Sequence, residues 1–176
     1  MWILILGLVI FFGIHSVRIV ASSFREARLA ANERAWKGVY SLVSAIGLGL
    51  IIWGWILYRG DAPQIFEPPA WGRHAAMALV LVAFILLASY KLPPGRIRVY
   101  LKHPFLVGIM LWSIGHLLVN GDLASLLLFG SFLVYAVANR MAVIPRGEPA
   151  PVIVRPRSDL IAVVAGIALY IVFVLW

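Results

Sequence analysis

Four histidines are the residues of this chain best suited to chemistry, and two of them fall inside long apolar stretches. His15 sits in ILGLVIFFGIHSV, and His116 in HPFLVGIMLWSIGHLLVNGD. An ionisable side chain within a membrane segment is costly unless it has a task or a partner. The sequence has no cysteine, which removes disulfides, thiolate ligands, cysteine zinc sites and covalent c-type haem attachment. Imidazoles and thioethers, with Met77 near His74 and Met110 in the second stretch, are the soft ligands that remain. Neutral imidazoles without carboxylates suit haem iron, copper or zinc. Acidic partners are missing near the middle of the apolar stretches, which weakens a hydrolytic zinc or proton-relay reading. Haem b needs one or two axial histidines and an apolar slot, and the core of a helix bundle supplies both.

Spacing decides which histidines can act together. His103 and His116 are thirteen residues apart, hence ~20 Å along a helix and roughly 140° apart around it. They cannot share a site. His116 instead shares a face with Gly108, Trp112 and Asn120 at four-residue steps, with Ser113 beside it. That is a glycine floor, an aromatic wall and polar neighbours, the ingredients for admitting a flat cofactor. Trp112 stays open between cofactor wall and lipid-facing filler. His15 shares a face with Gly7, Phe11 and Ser22. His74, beside Arg73, reads as an interfacial residue. His103, between Lys102 and Pro104, marks a helix start. Asp122, with Asn120 and Gly121, is good turn chemistry.

The elements that position these residues follow from composition. The chain has 176 residues, of which 63% are hydrophobic and 12% charged, with a mean hydropathy of +0.99. That is too apolar for a soluble domain. Six apolar blocks are each near the ~20 residues that cross a ~30 Å hydrocarbon core. They are residues 2–21, 38–58, 71–90, 104–120, 123–141 and 160–176. The first lacks the basic start and the cleavage site of a signal peptide and reads as a retained span. The expected fold is therefore all-α: a single six-span transmembrane domain covering residues 1–176. The link at residues 22–37 reads as a short amphipathic helix or an extension of the first span. The segment at 91–103 is expected at the inner interface, with its cations toward lipid phosphates. The Pro-rich link at 143–159 reads as extended.

Charge orients the bundle. The first, third and fifth links hold thirteen of the 15 lysines and arginines; only Arg59 and Arg73 lie on the other side. Both termini are then expected in the periplasm, in an inner-membrane protein. The net charge of +8 is explained by these loops, and no nucleic-acid partner is needed. In this orientation Trp2, Trp71 and Trp176 fall at the outer interface. His15 lies ~5 Å to the cytoplasmic side of the midplane and His116 ~5 Å to the outer side. Helical side chains lean toward their own N-terminus, so these two converge while His74 and His103 lean away. His15 and His116 are the expected metal ligands of a mid-membrane cofactor.

FFGIHS followed by KHPFLVGIMLWSIGHLLVNGD resembles the NnrU family of bacterial membrane proteins, along the whole chain. That family is named for a link to nitrite and nitric oxide reduction in denitrifying bacteria. It is related to plant 15-cis-zeta-carotene isomerase, an integral membrane enzyme that uses haem b. The resemblance implies haem b held by His15 and His116, with a redox, electron-transfer or isomerase role in lipid. Ser113 stands where a relative could use a cysteine beside the histidine, so a cysteine-ligated iron is not available. Lys102-His103-Pro104 also resembles the Arg-His-Pro motif of isoprenylcysteine and phospholipid methyltransferases. This implies an alternative, S-adenosylmethionine-dependent methylation through His103, Arg98 and Lys102. The paired acidic residues that those enzymes carry near the C-terminus are absent. A third reading is a non-catalytic assembly factor partnering respiratory reductase subunits. Beyond the lipid bilayer itself, a lipid-soluble small molecule is the other partner expected.

Overall fold

The computed structural model describes residues 1–146 and 154–175. Among these the chain is helical, with no strand beyond an isolated antiparallel bridge between Gln64 and Asp122. The helices are α1 (Trp2–Val20), α2 (Ser22–Tyr58), α3 (Gly72–Lys91), α4 (Arg96–Leu101), α5 (Pro104–Leu117), α6 (Leu123–Val143) and α7 (Pro156–Leu175), with a 3-10 turn at Ile144–Arg146. Five of them, α1, α2, α3, α6 and α7, are long and apolar enough to cross a membrane. The expected fourth span is shorter than its apolar run. Helix α5 has 14 residues, or ~21 Å at 1.5 Å per residue. The main-chain N–H of Asn120 bonds the carbonyl of His116 (3.0 Å) and its side-chain Nδ2 donates to the same oxygen (2.8 Å), which closes the last turn. Asp122 then caps α6, its Oδ1 accepting from the Ser125 N–H at 2.8 Å. The turn expected at residues 120–122 falls instead at residues 118–119, and Asn120 and Asp122 brace the helix ends on either side of the link. Trp176 and the middle of the Pro-rich link, residues 147–153, lie outside the described residues.

The chain divides into two compact units. The first comprises residues 1–66 and 122–131, and is organised by the antiparallel pair α1 and α2. At each close approach a glycine of one helix meets the main chain of the other. A Cβ on Gly7 would lie 2.6 Å from the Ile51 nitrogen, and one on Gly47 would lie 2.8 Å from that of Phe11. A Cβ on Gly54 would overlap the Leu4 main chain. In lipid, such small residues bring helices close enough for dispersion contacts to hold them. Leu4, Leu8, Ile51 and Ala124 are buried around this seam. Helix α2 breaks at Asn32, which leaves the helical angles (φ −159°, ψ 96°) while its Oδ1 accepts the Ala35 N–H at 3.0 Å. Asn32 is thus an N-cap, and residues 22–31 form a separate helical segment.

The second unit comprises residues 67–121 and 132–175 of the described chain. Helix α3 is its centre, packed against both α5 and α7. Glycine again sets the spacing. A Cβ on Gly166 of α7 would lie 2.6 Å from the Ile85 Cα, and one on Gly108 of α5 would lie 3.1 Å from the Ala83 oxygen. The alternating segment after Lys91 folds as helix α4, fastened by Asp159 of α7. That carboxylate accepts from the N–H groups of Arg96 (2.7 Å) and Ile97 (3.2 Å), and it leaves no room for a side chain at Gly95. The Arg155 N–H bonds Pro94 O (2.8 Å), and Arg140 Nη1 donates to Leu101 O (3.2 Å). These contacts gather the C-terminal end of α3, the N-terminal ends of α5 and α7 and the C-terminal end of α6. Lys91, Arg96, Arg98, Lys102, Arg140, Arg155 and Arg157 therefore belong to one end of this unit, and Arg73 to the other.

Candidate functional site

His116 lies in the last turn of α5. Its Nδ1 is 2.8 Å from the carbonyl oxygen of Trp112, four residues back. A carbonyl can only accept, so Nδ1 carries the proton and Nε2 holds the lone pair of the neutral ring. Metal-ligating histidines are held in this way, with the second ring nitrogen donating to a carbonyl or carboxylate. The Trp112 indole tilts over the imidazole at 4.8 Å between ring centres, and Phe132 of α6 meets that indole edge-on at 5.6 Å. Asn120 holds the His116 carbonyl from beyond the helix end.

Beside this ring is a cavity of about 870 Å³, within the range of ~300–1,000 Å³ usual for small-molecule sites. Helix α3 contributes Arg73, Met77, Val80 and Phe84, helix α5 Trp112, Gly115 and His116, and helix α7 Tyr170, Phe173 and Val174. The α3 residues recur at spacings of four, three and four, which puts them on one helical face. Gly115 lets Val80 approach closely: a Cβ on that glycine would lie 3.1 Å from the Val80 Cγ2. The walls are apolar and aromatic, and Phe84 and Phe173 are in contact, with ring centres 5.3 Å apart.

His15 repeats the preparation in the first unit. Its Nδ1 is 2.7 Å from the Phe11 carbonyl oxygen, and its ring stacks on Phe11 at 4.1 Å and tilts against Tyr40 of α2 at 5.2 Å. Nε2 is again the lone-pair nitrogen. The two helices share one pattern: glycine, an aromatic four residues on, and histidine four residues after that (Gly7, Phe11, His15 and Gly108, Trp112, His116). In both, the glycine packs against a neighbouring helix.

The other expected site residues are placed as follows. Gly108 is not on the cavity wall; it packs against Ala83 and Leu87 of α3, and Gly115 is the glycine at the wall. Ser113 is fully buried, and its Oγ has no hydrogen-bond partner among the described residues. Asn120 and Asp122 shape the turn after α5. His74 is exposed in the first turn of α3 and does not line the cavity. His103 occupies the N-cap position of α5, at the far end of that helix from His116. Arg73, Phe84, Tyr170 and Phe173 were not legible as site residues, and Met77 was legible only as a soft ligand near His74. For α3 the signal was the spacing from Arg73 to Phe84; for α7 the Tyr170 hydroxyl was the one polar group on the face.

Among the described residues no three His, Asp or Glu side chains gather as metal ligands. An oriented imidazole beside an apolar cavity suits a metal that brings its other donors with it, as porphyrin iron does. No curated protein and no solved structure matches the sequence. The description of the NnrU protein family matches residues 3–176, essentially the entire sequence. Its all-helical architecture, its apolar helices of membrane-crossing length and this match agree, and the chain belongs to the NnrU family.

Proposed function

We propose that this membrane protein binds haem b through Nε2 of His116, in the cavity between α3, α5 and α7. The observation that carries the reading is the Nδ1–H of His116 committed to the Trp112 carbonyl while the ring borders an apolar cavity. Trp112 and Phe84 would flank the macrocycle, and the apolar wall would exclude water from the iron. Bound there, haem supplies one-electron chemistry within the bilayer. A redox or electron-transfer role, or haem-dependent isomerisation of a lipid-soluble molecule, linked to nitrite and nitric oxide reduction, fits such a site. We place the protein in the inner membrane with both termini in the periplasm. Helix α5 and the turn that follows it then complete a sixth crossing.

Titration of purified protein with haemin tests this. A Soret band is expected to grow to one haem per chain and to be lost in His116→Ala. If wild type and His116→Ala titrate alike, the assignment is wrong. The sequence expectation that His15 supplies the second axial position has its own readout. His15→Ala should convert a low-spin, six-coordinate spectrum to a high-spin one, and an unchanged spectrum removes His15 from the iron.

A further inference from the structure

Arg73 is the charged side chain on a wall that is otherwise apolar apart from His116 and the Tyr170 hydroxyl. Among the described residues it makes no ion pair; the one pair found is Lys37 with Glu33. It also stands in the first turn of α3, the helix end where the macrodipole favours an anion and opposes a cation. Its side chain is exposed at the edge of the apolar cavity, and no carboxylate among the described residues pairs with it. An anionic group at the mouth would meet Arg73 and the positive end of α3 together.

The level of Arg73 relative to His116 gives the shape of that ligand. Gly115 meets Val80 and the Ala76 carbonyl, so His116 lies opposite the turn of α3 at Ala76. Arg73 is three residues nearer the helix start, ~4.5 Å along the axis. A ligand ligated at His116 would therefore present one edge to Arg73 and bury the remainder toward Phe84. Haem b has this polarity, with two carboxylates on one edge and an apolar remainder. We infer that Arg73 binds the carboxylate edge of the cofactor and so fixes its orientation in the cavity. This rests on the haem reading above.

The test uses haemin and haemin dimethyl ester, which differ only in those carboxylates, titrated into wild type, Arg73→Gln and Arg73→Lys in nanodiscs of neutral lipid. A charge-assisted contact corresponds to a preference of about tenfold or more. Wild type should prefer the diacid by that factor, Arg73→Gln should bind both alike, and Arg73→Lys should keep part of the preference. Comparing the ratio between variants cancels partitioning into lipid. Equal binding of both ligands by wild type, or an undiminished preference in Arg73→Gln, overturns the role of Arg73 and leaves haem binding standing. No Soret band with either ligand overturns the haem reading, and this inference with it.

Discussion

His15 and His116 each donate Nδ1–H to the carbonyl four residues back, and His15 stacks on the aromatic ring there while His116 meets its indole at a tilt. The aromatic neighbour on the same helical face was legible in the sequence from the four-residue spacing; the hydrogen bond to its carbonyl came with the structure. The partners across space were not legible, because they depend on which helices pack. Gly108 is the instructive example. It shares a helical face with Trp112, yet α3 covers it, and the wall is reached at Gly115, beside His116 itself. Ser113 allows a sharp prediction at this scale. Its buried Oγ lacks a hydrogen-bond partner among the described residues, and removing an unsatisfied hydroxyl is neutral or stabilising. Ser113→Ala should melt at or above the wild-type temperature, by circular dichroism in detergent, and should keep its haemin titration. A large loss of either would mean that the hydroxyl has a task.

At the scale of elements, helix spacing is set by glycine. Gly7, Gly47 and Gly54 sit where α1 and α2 touch main chain to main chain, whereas Gly13 has none of the described residues within 4 Å of a Cβ. Gly54→Ala and Gly7→Ala are therefore expected to destabilise by ~1–3 kcal/mol through overpacking. Gly13→Ala should be neutral or gain up to ~1 kcal/mol of helix propensity. Reversible unfolding in mixed micelles separates the two outcomes. The glycines were visible in the sequence, but nothing there distinguished Gly13 from Gly7, because contact depends on helix rotation. The fastening of α4 was equally hidden. Asp159 is distant in sequence from the N–H groups of Arg96 and Ile97 that it accepts. Asp159→Ala leaves those donors unmet and should cost ~1–3 kcal/mol, with faster amide exchange confined to residues 95–101. Unchanged exchange rates across that segment would show that its order does not depend on Asp159.

At the scale of the whole molecule, the membrane character and the family were the most legible properties, because hydropathy and loop charge accumulate over many residues. Hydrophobicity alone overstated α5, since an apolar run continues through Leu118 and Val119 after the helix has closed. In the second unit the basic residues collect at one end, as orientation by positive charge requires. Because the chain lacks cysteine, single cysteines report topology directly. Cysteine at Asp61 should react with a membrane-impermeant maleimide in spheroplasts, and cysteine at Arg28 or Arg98 should react only after lysis. The reverse pattern would invert the proposed orientation. The central claim is that His116 is an iron ligand, and the optical spectrum of protein purified directly from membranes tests it most directly. A Soret band is expected in wild type, with α and β bands that sharpen on reduction by dithionite, and none of these in His116→Ala of equal folded yield. A wild-type protein without a Soret band from haem-replete cells, or a His116→Ala spectrum identical to wild type, would contradict it.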